Sequence, residues 1–253
     1  SDDEGGGSSI TLTLDPPLED ELFMLMRYNG ILGGCIIQDI ATGDIEVMTA
    51  TSTASVGDEP SGLTQLQANI SDEFFTELGI TDSEAAEYFA YHALRTVSED
   101  KEDDADGDTK EYMFPADFGL LSEPLEGGLS AVHLTSIMQC IFSGKSSEPH
   151  ILRSVTSGRD VPLPERISSP IPADILNKCK KAFSVLDTDS GRVTYIMNEG
   201  MGVKYAAGMI ETKGGSRKAF TLYSQEDERI TLLMSCAAYF INAADDPAAE
   251  EVS

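Results

Sequence analysis

Acyl transfer at a serine needs a hydroxyl, a base to take its proton and donors for the oxyanion, all within reach of one another. The chain offers one Ser-x-x-Lys spacing, Ser98 to Lys101. It lies in "SEDKEDDADGDTKE", where seven acids fall within residues 99–108, so Lys101 is expected in exposed ion pairs. Ser98 gains neither base nor oxyanion donors there. A second hydroxyl, Ser71, stands beside Asp72 in "NISDEFFTELG". Ser71 also suits a helix N-cap, with acids in the first turn that favour the helix dipole. The third stretch is "YAAGMIETKGG", residues 205–215, where a small-small-Gly frame leads into Met209, Ile210, Glu211, Thr212 and Lys213. It is framed as if to receive something, yet its centre presents two apolar side chains and a carboxylate.

Metal and cofactor chemistry find little support. His92, His133 and His150 lie in different segments, and no Ser/His/Asp spacing links them. Cys35, Cys140, Cys179 and Cys236 form no CxxC or His-spaced set, which argues against a zinc site. Each sits in apolar surroundings or on the inner side of a helix, so buried free thiols are expected. A Cys35–Cys236 bridge is the alternative, since both fall in strand-like runs. The cluster "EDKEDDADGD" lacks the ligand spacing of an EF-hand and reads as a solvated charge run. "GMG" at 200–202 has no nucleotide-loop context. No cofactor and no metal are expected.

The chain has 253 residues, 41% of them hydrophobic, which suffices for a sizeable core. Its formal charge is −27. The ends "SDDEGGGSS" and "ADDPAAEEVS" hold seven of the 44 acids and no base, so the body remains strongly acidic. No basic stripe exists to displace counterions from phosphates, and nucleic acid is not an expected partner. The excess reads as a self-repelling, solubilising surface, with a cation or a basic partner as the other use for it. No apolar run reaches the length of a membrane helix. The first nine residues read as a flexible acidic linker, to be tethered by an anchor outside this chain.

The elements that must position these residues follow from periodicity. "ITLTLD" alternates as a short strand. "PPLEDELFMLMRYN" opens with prolines and acids and puts Leu18, Leu22, Leu25 and Met26 on one face, as an amphipathic helix does. "GGCIIQDIATGDIEVMTA" is a hairpin. Residues 63–97 read as helices, including one with Thr81 and Glu84 as a capping box. "GLSAVHLTSIMQCIFSGK" is helical, with Leu134, Ile137, Met138 and Ile141 on one face. "PADILNKCKKAFSVL" reads as another helix. "KYAAGMIETKG", "SRKAFTLYSQ" and "RITLLMSCAAYFI" read as three strands. The order predicts an α+β fold in which strands from both chain ends meet in one antiparallel sheet.

This order and several of its phrases resemble the penicillin-binding transpeptidase domains of bacterial cell-wall synthesis. "ITLTLDPPLEDEL" resembles the family's entry to its first helix, and "GGCIIQDIATGDIEVMTA" its opening hairpin. "GLTQLQANISDEFFTELG" is similar to the segment carrying the second active-site motif. "GLSAVHLTSIMQCIFSGKSSEPHILRSV" resembles a later helix with its following strand. "SGRVTYIMNEGMGVKYAAGMIETKGGSRKAFTLYS" resembles the approach to the Lys-Thr-Gly strand and the return strand. The resemblance implies a five-stranded antiparallel sheet flanked by helices, of the penicillin-binding and β-lactamase-like class. It implies a linker over residues 1–9, a transpeptidase-like domain over 10–243 and an acidic tail over 244–253.

In working members of that family a Ser-x-x-Lys serine is acylated, a Ser-x-Asn motif shuttles protons, and Lys-Thr-Gly lies on an edge strand that pairs with substrate. Here the resemblance puts Gly208 at the leading glycine and Met209, Ile210 and Glu211 where Lys-Thr-Gly belongs, with Thr212 trailing. Lys213 shares the strand face of Met209, about 13 Å further along, unless a bulge returns it. Ser71 with Asp72 or Glu73 replaces Ser-x-Asn, setting a carboxylate in place of an amide. The segment between "VMTATS" and "NISDEFF" is too short for the nucleophile helix. The expected function is thus a catalytically degenerate transpeptidase-like domain outside the cytoplasmic membrane. It would bind or scaffold cell-wall synthesis or division proteins, or peptidoglycan fragments. Two alternatives stand beside it: an active serine acyltransferase with a non-standard nucleophile, and an acidic interaction protein on an unrelated α+β fold.

Overall fold

The computed structural model describes residues 9–51, 131–147, 149–156, 168–170, 183–200, 203–224 and 227–245, with residues 173, 176 and 177. Ser71, Asp72, Ser98, Lys101, Cys179, the helices expected over 63–97 and the acidic loop 99–108 lie outside the described residues.

A short strand β1 (Ser9–Leu12) leads to α1 (Pro16–Tyr28). Asp15 caps α1 by accepting the Leu18 N–H at 3.2 Å, and the prolines stand where a helix needs no donor. Leu18, Leu22 and Met26 are buried, and Leu25 packs partly beside them. Strands β2 (Gly33–Asp39) and β3 (Ile45–Ala50) form the expected hairpin. Its turn is held by Asp39, whose carboxylate accepts the N–H groups of Ala41 and Thr42, each at 2.8 Å. Helix α2 (Ala131–Ser143) buries Leu134, Ile137, Met138 and Ile141 as its spacing requires.

Next come three short strands: β4 (Lys145–Ser147), β5 (Leu152–Thr156) and β6 (Ser168–Pro170). They form two ribbons, β1 with β5 and β4 with β6. The chain then builds a meander of β7 (Ser184–Thr188), β8 (Gly191–Gly200), β9 (Val203–Thr212) and β10 (Arg217–Ser224), and ends in α3 (Asp227–Asp245).

Strands from both ends of the sequence do meet in one antiparallel sheet, in the order β3-β2-β10-β9-β8-β7. It has six strands, not five. Two of them, β7 and β8, were not foreseen as strands, and one expected strand is a helix. Residues 229–241 belong to α3, because the buried positions Ile230, Leu233, Met234, Ala237, Ala238 and Ile241 recur at helical spacing. Residues 184–186, expected at the end of a helix, are the start of β7.

Two apolar layers enclose the sheet. One joins α2 to Ile36, Ile196, Ala207, Met209, Ala219 and Tyr223. The other joins α1 and α3 to Cys35, Val193, Ala206, Ile210, Phe220 and Leu222. Burying both faces of the central strands explains their near-continuous apolar runs. Cys35, Cys140 and Cys236 are in no disulfide, so the alternative Cys35–Cys236 bridge does not form; Cys236 sits on α3, not on a strand.

Candidate functional site

Strand β9 carries the stretch singled out by the sequence, and alternation along it divides the side chains between the two layers. Met209 faces the α2 layer and is 7% exposed; Ile210 faces α1 and α3 and is fully buried. Glu211 is exposed. Thr212 is a structural tie: its hydroxyl donates to Asp245 Oδ2 at 3.0 Å and accepts the Ser216 N–H at 3.1 Å. Lys213 is exposed in the turn, its N–H donating to the Ser190 carbonyl at 3.1 Å. Met209 and Glu211 thus share one face, Ile210 and Thr212 the other, and Lys213 joins neither.

The hydrogen-bonding sides of β9 are both occupied. On one side Lys204–Glu211 pair with β10 from Ser224 to Arg217; on the other, Val203–Thr212 pair with β8 from Gly200 to Gly191. Neither ladder has a register shift, so no bulge returns Lys213 toward Met209. The resemblance implied an edge strand here; the structure places an interior one. A peptide cannot pair with Met209, Ile210 or Glu211 without first removing a neighbouring strand.

Strand β8 lies one step nearer the sheet's end, and its outer side is covered by β7 from Ser184↔Tyr195 to Thr188↔Gly191. Across these strands runs a row of directly opposed residues: Asp187 on β7, Arg192 on β8, Glu211 on β9 and Arg217 on β10. Opposed residues share a face, so the row alternates in sign over four strands. Arg192 Nε donates to Asp187 Oδ1 at 2.8 Å. That bond and the Asp187 charge, with Glu211 beyond them, raise the Arg192 pKa further above its ordinary value. Arg217 donates from Nε to Met209 Sδ at 3.4 Å and from Nη2 to the Phe142 carbonyl at 3.1 Å. These cations are already engaged with protein acceptors.

The lysine of β10 is engaged too. Lys218 Nζ reaches Asp39 Oδ2 at 2.9 Å and Glu46 Oε1 at 2.7 Å. Buried hydroxyls serve packing: Thr135 donates to Thr221 Oγ1 at 2.7 Å, and Ser136 donates to its own helix at the Val132 carbonyl. Asp44 holds His150 and reaches Arg153 at 3.5 Å, joining the first hairpin to β5 and to the residue stretch just before it. Among the described residues no group of three His, Cys, Asp or Glu side chains could hold a metal ion. Among them, too, no helix is long and apolar enough to cross a membrane.

No protein-family model matches the chain, and no curated protein matches it. Solved structures do. The D,D-transpeptidase domain of a peptidoglycan glycosyltransferase from Eggerthella lenta superposes with a TM-score of 0.58 at 11% identity, over 93% of this chain and 83% of that one. Penicillin-binding protein A from Mycobacterium tuberculosis gives 0.59 at 10% identity, over 94% and 80%. The fold is that of the penicillin-binding transpeptidase domains. A peptidoglycan synthetase from Bifidobacterium adolescentis adds 0.55 at 12% identity, over 93% of this chain and 61% of that one. The alternative of an unrelated α+β fold is thereby removed. Identities this low carry the penicillin-binding fold and leave the chemistry to be argued from this chain's own residues.

Sequence reasoning missed Arg192 and its partner Asp187. The signal was present in "GRVTYIM", where Arg192, Thr194 and Ile196 alternate with Val193, Tyr195 and Met197. Alternation of that kind marks a strand, and the turn residues "TDSG" before it mark a hairpin.

Proposed function

We propose that this domain keeps the penicillin-binding fold without its acyl-transfer chemistry and works by non-covalent binding. Its place is outside the cytoplasmic membrane, tethered through an anchor, where it binds or scaffolds cell-wall synthesis or division proteins or a peptidoglycan fragment. One observation carries the reading: the hydrogen-bonding edges near Met209 and Arg192 are filled by the protein's own strands. An enzyme of this kind needs an open strand edge to align a substrate, together with a cation beside its nucleophile. Here β7 lies along β8, Met209 replaces a cation on β9, and Glu211 would repel a substrate carboxylate.

The test is intact mass after incubation with a reactive penicillin. The unmodified protein is expected to gain no adduct. Met209→Lys is expected to gain none either, because a single restored charge lacks base, nucleophile and donors. Gain of one penicillin mass, abolished by substitution of a single serine, would establish the active acyltransferase in its place.

A further inference from the structure

The two ends of the six-stranded sheet are finished differently. At the β3 end neighbouring backbone fills the edge: the Ile45 N–H donates to the His150 carbonyl at 2.9 Å, and the Asp15 N–H donates to the Glu46 carbonyl at 2.8 Å. At the other end β7, among the described residues, pairs with β8 alone.

An edge strand with unpaired N–H and C=O groups is a template for another strand, and proteins usually guard it with proline, lysine, a bulge or a twist away. Strand β7 reads "SVLDT", with neither proline nor lysine, and its register with β8 runs without a shift. Val185 is 56% exposed on this edge strand. The strand's one charge, Asp187, is partnered by Arg192. The edge is short and regular, and among the described residues no second strand covers it.

We propose that the outer edge of β7 is a docking edge for an extended, basic segment of a partner protein, which adds to the sheet as a further strand. Charge selects the occupant. The chain carries −27, and Asp187 and Asp189 are both exposed at the turn end of β7. A second copy would bring a second body of the same sign and its own edge acids. A segment with lysine or arginine at the end that meets Asp187 and Asp189 finds opposite charge there, on a chain that is acidic as a whole. Its main chain completes the ladder, and a β-branched side chain beside Val185 covers apolar surface. This deepens the binding reading above by naming a partner class, and it draws on none of the acylation machinery.

The test uses the full chain, isotope-labelled for NMR, with the peptide acetyl-Lys-Val-Thr-Val-Lys-amide as probe. Amide shifts are expected at residues 184–188 and their β8 partners, with slowed exchange of the outward N–H groups of β7. Replacing the peptide's lysines by glutamate should weaken binding about tenfold or more at low salt. Val185→Lys, at an exposed position that tolerates a charge, should weaken it by a similar factor. Absence of shifts in β7 at millimolar peptide, or shifts confined to other strands, overturns the proposal. So does a concentration-dependent dimer that protects the same amides, since the occupant would then be a second copy. A penicillin adduct would sink the reading of the previous subsection and leave the peptide result standing.

Discussion

Lys218 on β10 and Asp39 on β2 face each other directly, 2.9 Å from Nζ to Oδ2, although 179 residues of chain separate them. Glu46 on β3 completes the group at 2.7 Å, so one ammonium ties together three adjacent strands. Burial works against the Lys218 charge, but the hydrogen bonds and charges of Glu46 and Asp39 outweigh it and raise its pKa. Burial likewise works against the Asp39 carboxylate and is outweighed by Lys218 and Thr42, which lower its pKa. For Glu46 burial prevails over Lys218, and its pKa is raised.

The signs fix a pH dependence. The Lys218 contribution to stability is present below the ordinary lysine range and is lost as pH climbs through its raised folded value. That of Asp39 is present above the ordinary aspartate range and is lost as pH falls through its lowered value. That of Glu46 is present below the ordinary glutamate range and is lost as pH rises through its raised value. Lys218→Met should lower stability at neutral pH by about 2 kcal/mol, since it strands two partly buried carboxylates. It should also flatten the alkaline decline expected above about pH 10.4. Urea midpoints measured from neutral to strongly alkaline pH for both proteins check this; an equally steep decline in the variant would contradict it.

Gly208→Ala should destabilise the domain by about 3 kcal/mol or more, or prevent folding. A Cβ at Gly208 would lie 2.0 Å from the Thr194 carbonyl oxygen and 2.8 Å from Tyr195 Cα, both backbone atoms in a well-paired strand. The glycine at this point is thus explained by the close approach of β8. Near-native stability in the alanine variant would mean that β8 does not pass there.

Thr212→Val, nearly isosteric, should lower stability by about 1 to 2 kcal/mol without altering any binding at β7. The hydroxyl links the β9–β10 turn to the end of α3 through Ser216 and Asp245. Thermal unfolding of Thr212→Val, Asp245→Asn and the double variant measures the coupling; additive effects would show that the hydrogen bond contributes nothing.

Of the three described thiols, Cys236 should react first with iodoacetamide in the folded protein. Cys35 and Cys140 are 0% and 1% exposed, whereas Cys236 is partly exposed on α3. Burial above all, with Glu19 nearby, pushes the Cys35 thiol far up and keeps it protonated. Peptide mapping after brief labelling gives the order, and early modification of Cys35 would show that the sheet opens readily.

Where local signals agreed, the fold was legible. Asp15, the prolines and the spacing of Leu18, Leu22 and Met26 all specify α1, and "IATGD" between two apolar runs specifies the first hairpin. The run "ITLLMSCAAYFI" was misread because its apolar residues are nearly continuous, which suits a buried strand as well as a helix. Its length and its i, i+3, i+4 burial belong to α3. The site was harder to read for a different reason. Whether Met209, Ile210 and Glu211 lie at an edge or inside a sheet depends on β8 pairing with β9, and that long-range choice leaves no mark on the stretch itself. Arg192 and Asp187 went unnoticed for the same cause: they become a pair only once the hairpin closes.

The neighbour of β2 in the sheet is β10, and this has a consequence during synthesis. At ribosomal speeds of about 5 to 20 residues per second, the 179 residues from Ile40 through Lys218 take roughly 10 to 35 s to be made. For that interval a nascent chain carries the first hairpin with one side of β2 unsatisfied, and its Ile36 and Ile37 have no sheet to enter. A ribosome that stalls before Ser224 leaves a sticky hairpin with no means of closing it. Until β10 arrives, that side of β2 stays open to any other strand it meets.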